Sequence, residues 1–141
     1  MIIIDTNVIS ELWKVEPDSH VLTWVDAQAV ETLYLSAVTI AELRYGLATM
    51  PRGKRRTIYQ TRLEDAVLPN FAGRVLPFDL PTSKTFAELM ARARATGKSI
   101  AKEDGYIAAT AATHGLIVAT RDTSPFEAGG LKVINPWEAS P

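Results

Sequence analysis

The chain alternates between short runs of adjacent apolar residues and longer stretches in which apolar residues recur every three or four positions. Five runs read as strands buried on both faces: residues 2–4 (III), 33–35 (LYL), 74–76 (RVL), 116–119 (LIVA) and 131–134 (LKVI). Between them, helical spacing predicts a helix from near Val8, and another behind Asp18 with Val21, Leu22 and Val25 on one face. A third is predicted over 37–49 behind Ser36, followed by one over 54–67 that turns Ile58, Leu63, Ala66 and Val67 inward until Pro69. These two form a helical hairpin above the sheet. Residues 82–96 carry Phe86, Leu89, Met90 and Ala93 at core spacing and stop at Gly97; a last helix over 102–114 stops at Gly115. Strands that alternate with helices are the pattern of a parallel sheet covered on both faces, so the expected class is α/β, in a single domain over 1–141.

Composition narrows the chemistry. A chain of 141 residues, 47% apolar, buries a core without staples. There is no cysteine, and His20 and His114 are too few for a zinc cage, so any metal is held by oxygen. No apolar run approaches the ~20 residues that span a bilayer, and MIIIDTN lacks the basic and apolar regions of a signal peptide, so a cytoplasmic protein is expected. A net charge of −1 argues against a basic coat for nucleic acid and leaves only local clusters. The densest is Arg52, Lys54, Arg55 and Arg56, either a solvated surface or part of a substrate track.

Four acids stand in informative places. Asp5 follows three isoleucines, where a buried strand leaves the sheet, and either caps the next helix or serves a ligand there. Glu42 rides the edge of an apolar helical stripe, either paired with Arg44 or Arg62 or turned to a site. Asp104 shares the inward stripe of its helix with Ile107, Ala108 and Ala111, while a first-turn acid also complements the helix dipole. The adjacent Glu103 faces about a hundred degrees away. Asp122 ends LIVATRD just beyond another strand, with Thr120 beside it, and also fits a turn into Thr123, Ser124 and Pro125. Gathered at one sheet edge, four carboxylates would repel one another and raise their own pKa values, which makes a hard divalent cation the natural counter-ion. All-oxygen ligands favour Mg²⁺, with Mn²⁺ as the alternative.

The segments IIIDTNVISEL, LSAVTIAELRYG (35–46), RVLPFD (74–79), DGYIAATAATHGL (104–116), VATRD (118–122) and INPW (134–137) together resemble a known family. It is the PIN-domain toxins of bacterial toxin–antitoxin pairs, the VapC group, and most closely its FitB-like branch. The resemblance implies a three-layer domain with a five-stranded parallel sheet flanked by helices. It also implies a homodimer able to join a larger toxin–antitoxin assembly, and a metal-dependent cut in single-stranded RNA. A cognate antitoxin would inhibit the chain, and DNA would be reached only through that antitoxin. The family's acidic positions fall on Asp5, Glu42, Asp104 and Asp122, its polar neighbour on Thr120, and its early asparagine on Asn7. Lys102 and Glu103 depart from the small or apolar residues usual there.

Metal-assisted in-line hydrolysis would leave 5′-phosphate and 3′-hydroxyl ends. Arg44 and Arg121 adjoin the acids and are candidates for phosphate contact, as is Lys102. An apolar groove for an antitoxin peptide is implied by the family, with Trp13 or Tyr45 as lining or as core. A phosphotransfer domain with Asp5 as nucleophile needs a second aspartate two residues on, where Asn7 stands. A binding module that sequesters RNA or an antitoxin without cutting remains the other alternative.

Overall fold

The computed structural model of the chain describes residues 1–138. Five parallel strands, β1 (Ile2–Ile4), β2 (Leu33–Ser36), β3 (Val75–Leu76), β4 (Ile117–Ala119) and β5 (Val133–Ile134), form one sheet in the order β3-β2-β1-β4-β5. β1 takes the centre because its three isoleucines can be buried on both faces at once. Ile2 and Ile4 enter one core with Val8, Leu35, Leu43 and Leu63, while Ile3 enters the other with Leu89, Ile107, Val118 and Phe126. The chain runs outward from β1 to β2 and β3, then returns to build β4 and β5 on the other side. The order therefore reverses between β1 and β4, and the crevice at their carboxyl ends is where open α/β sheets bind ligands.

Capping side chains start four of the helices. Asp5 caps α1 (Thr6–Leu12), which begins directly after the strand rather than near Val8. Asp18 caps α2 (Ser19–Asp26), and Ser36 caps α3 (Ala37–Thr49). Leu22, expected inward, is 38% exposed, so α2 buries the narrower face of Val21 and Val25. α4 (Lys54–Arg62) passes through a π-turn (Leu63–Val67) into the short α5 (Leu68–Asn70), with Pro69 in its first turn. That turn overturns the expected face of a uniform helix over 54–67. On α4 the inward stripe runs through Tyr59 to the buried Leu63, which leaves Ile58 exposed; the wider turn then shifts the phase so that Val67 and Leu68 pack on the core while Ala66 faces solvent.

α6 (Leu80–Ala95), capped by Asp79, and α7 (Lys102–His114) cover the opposite face with the short α8 (Ser124–Ala128), which the sequence pattern did not predict. Gly97 and Gly115 stop α6 and α7 in left-handed conformations, at φ of 75° and 66°. Among the described residues no helix is long and apolar enough to cross a membrane.

The close approach of α7 to α6 depends on Gly105. A Cβ at this position would lie 2.7 Å from Met90 Sδ and 3.0 Å from the Phe86 ring. Gly105→Val should therefore cost about 1–3 kcal/mol, as overpacking does, and appear as a lower urea midpoint with unchanged m. Gly105→Ala should cost less, because the flexible Met90 can yield and alanine gains about 1 kcal/mol in helix propensity.

Candidate functional site

The ends of β1 and β4 are joined by polar groups. Asp5 extends the strand ladder by donating its N–H to the Ala119 carbonyl at 2.9 Å. Its Oδ1 accepts the Thr6 N–H at 2.8 Å, which caps α1, and its Oδ2 accepts the Thr120 hydroxyl at 2.8 Å. Asn7 Nδ2 reaches the same Oδ2 at 3.5 Å. The fully buried Thr120 oxygen in turn accepts from Asp122 N at 3.1 Å and from Asn7 Nδ2 at 3.3 Å. Asn7 Oδ1 receives the Arg121 N–H at 3.3 Å. Asp5, buried at 5% exposure, is thus both a helix cap and the hub of a network between two loops.

Glu42 reaches the same place from α3. Its Oε1 accepts the Thr6 hydroxyl at 2.8 Å, and Thr39 lies 3.3 Å from that hydroxyl. Neither arginine considered as its partner pairs with it: Arg44 instead makes two bonds to Glu64, at 2.9 and 3.0 Å. Asp104, half-buried in the first turn of α7, faces the pair. Asp5, Glu42 and Asp104 line one open cleft of about 430 Å³ together with Thr6, Asn7, Ser10, Lys14, Arg121 and Trp137. Asp122 is exposed and borders the neighbouring recess with Lys98 and Ser124, yet its charge acts on both Asp5 and Asp104.

Burial pushes the Asp5 carboxyl above its ordinary pKa, and the charges of Glu42 and Asp122 add to this; the Thr120 and Thr6 hydrogen bonds act the other way. Asp104 is also raised, first by burial and then by Asp5, Asp122 and Glu103. Among the described residues none of the four acids has an ion-pair partner. Nor, among them, do three such side chains close into a ready-made metal cage. A donor set of this kind, hard, anionic and incompletely closed, suits a small divalent cation that keeps water or substrate oxygens in its remaining positions.

The sequence matches the PIN domain family over residues 2–130. This chain belongs to the PIN-domain family. It is 71% identical to the VapC ribonuclease Y4jK of Sinorhizobium fredii, over 98% of this chain and 99% of that one. With Toxin FitB of Neisseria gonorrhoeae it shares 50% identity over 97% and 99% of the two chains. The crystal structure of FitAcB from Neisseria gonorrhoeae superposes with a TM-score of 0.96 at 50% identity, covering 99% of this chain and 100% of that one. FitAB bound to a DNA fragment matches at a TM-score of 0.96 and 47% identity, with 99% and 98% covered. The PIN-like α/β architecture and the kinship to the VapC and FitB proteins are as the motifs implied.

Of the residues singled out in the sequence, Asp5, Asn7, Glu42, Asp104, Arg121 and, through their network, Thr120 and Asp122 meet at this crevice. Arg44 does not: it lies on the surface, bound to Glu64, and is absent from the cleft wall. An apolar groove of about 350 Å³ adjoins the cleft, and here Trp13 stacks on Tyr59 at 5.9 Å while Tyr45 stands 72% exposed outside it. Arg55 reaches this groove, but Arg52 and Lys54 face solvent. Sequence reasoning passed over Thr6 and Ser10, whose one-turn spacing along α1 was the available signal, and Lys14 just beyond the end of that helix.

Because folding raises the pKa of Asp5 and Asp104, these groups bind protons more tightly folded than unfolded. Their cost to stability is absent below the unfolded carboxylate pKa and grows as pH rises through the raised folded values. Asp104→Asn, measured without divalent ions, should therefore melt above wild type at pH 7, and this advantage should shrink toward about pH 4. Equal melting temperatures at pH 7 would remove repulsion from the account.

Proposed function

We propose that this chain is an endoribonuclease that uses Mg²⁺ or Mn²⁺ to hydrolyse phosphodiester bonds in single-stranded RNA, as the toxin of a toxin–antitoxin pair. The observation that carries the reading is the set of four acids at the switch point without an ion-pair partner among the described residues, two of them raised in pKa. High identity to a protein named a VapC ribonuclease supports RNA as the substrate.

Asp5, Asp104 and Glu42 are the residues that would hold the metal. When bound, the ion supplies charge neutralisation, polarisation of the phosphate and activation of a water. Thr6 fixes Asp5 Oδ1 by one hydrogen bond, leaving a lone pair there free for ligation, while Thr120, with a longer contact from Asn7, fixes Oδ2. Thr6 holds Glu42 in place in the same way. Asp122, tied to the Thr120 oxygen through its backbone, orients the attacking water in this scheme. In-line attack at phosphorus expels the 3′ oxygen, so the products carry 5′-phosphate and 3′-hydroxyl ends. A 2′,3′-cyclic phosphate would mark attack by the RNA's own 2′-hydroxyl and exclude this route.

A cognate antitoxin completes the reading, supported by the likeness to the FitAB assembly. The apolar groove shares Thr6, Ser10, Lys14 and Glu42 with the cleft, so a peptide seated on Trp13 and Tyr59 would lie against the acids. DNA is then contacted through the antitoxin, and the chain acts as a homodimer within that assembly.

The test is incubation of antitoxin-free protein with a mixed single-stranded RNA pool and Mg²⁺ or Mn²⁺. Wild type should cut; EDTA should abolish cutting, and Asp5→Asn should slow it by roughly 10²-fold or more. A folded wild type that cuts no member of the pool with either ion would overturn the enzymatic reading. Thr120→Val should keep the fold but lower metal affinity or rate by about 10–100-fold, because the orientation of Asp5 is lost; unchanged values would confine Thr120 to packing.

A further inference from the structure

Two cations line the acid cleft, and only one is neutralised there. Lys14 pairs with Glu11 at 2.9 Å, whereas Arg121 has no ion-pair partner among the described residues, although it shares the cleft with Asp5, Glu42 and Asp104. Its guanidinium instead lies 5.2 Å from the centre of the Trp137 ring. Both halves of this contact are anchored. The Arg121 N–H is bound to Asn7, which is part of the Asp5 network. Trp137 is set by a turn in which its N–H bonds Asn135 Oδ1 at 3.0 Å and Glu138 N–H bonds the Asn135 carbonyl at 3.1 Å. Pro136 beside it is buried, and the indole packs against the core beneath the sheet.

We propose that Arg121, held on the face of Trp137, is a phosphate clamp for the RNA backbone at the mouth of the cleft, with Trp137 as its positioning residue. The inference rests on the reading of RNA as the substrate. A polyanion approaching four carboxylates meets repulsion, so a cation at the rim with its donors free is the feature that draws a phosphodiester in. A guanidinium offers its N–H groups as a planar fork that matches two phosphate oxygens. The indole restrains that fork without neutralising it, as a carboxylate partner would.

The experiment is a titration of a labelled 12-nucleotide single-stranded RNA by fluorescence anisotropy, in EDTA so that no cleavage intervenes, over a series of salt concentrations. Arg121→Ala should weaken binding about 10-fold and reduce the slope of log K against log salt by about 0.7, as loss of one single-strand phosphate contact does. Trp137→Leu should weaken binding about 3-fold with no change in that slope, Trp137→Phe should restore most of it, and Trp137→Leu should add nothing once Arg121 is alanine. Unchanged affinity and slope in Arg121→Ala, or a Trp137→Leu loss that persists without Arg121, would overturn the clamp, as would a wild type that binds no RNA. A wild type that binds RNA through Arg121 yet cuts nothing would refute the nuclease and leave the clamp standing.

Discussion

The hydrogen bond from the Thr120 hydroxyl to Asp5 joins the ends of the two central strands, and the arrangement of the crevice depends on it. It holds a carboxylate where burial and two neighbouring charges would otherwise favour its neutral form. It also leaves the Thr120 oxygen free to accept from Asn7 and Asp122, so one hydroxyl sets the positions of three residues. Asp5 orders α1 through the same carboxylate, which couples helix start and site geometry in one side chain.

Holding four like charges together opposes folding, and the opposition is met elsewhere. The central strand buries all three of its residues, and the two cores on either face are built from tightly packed aliphatic side chains. α7 shows the division of labour most plainly. Its first turn presents Asp104 to the crevice, while Gly105, Ile107, Ala108 and Ala111 behind it let the helix sit close against α6 and the sheet. Stability gathered in the cores permits strain at the edge, a division common where activity needs an unfavourable arrangement of charge.

The strands, and the helix starts behind Asp18 and Ser36, were legible in the sequence because each rests on a local rule: an apolar run between turn residues, or a capping side chain before a helical stripe. The four acids were legible for a related reason, since strand ends and inward stripes fix where a side chain points before any tertiary contact is known. What was not legible depends on partners distant in the chain or on small changes of helical phase. The π-turn after Arg62 moves Ala66 outward without any signal in residue type. Arg44 adjoins the acids in sequence, yet its partner is Glu64, twenty residues away, so its charge is spent on the surface. Trp137 closes the motif INPW, but its meeting with Arg121 follows from the return of the chain through β5.

The strand order also governs when the crevice can come into being. β1 lies far in sequence from β4, its second neighbour, which starts at Ile117, and the Asp5–Thr120 bond closes a loop of 115 residues. Such long-range pairing forms slowly and late compared with local helices. The topology therefore ties the crevice to the slowest contacts of the fold: Asp5 and Thr120 stay apart until β4 has docked beside β1.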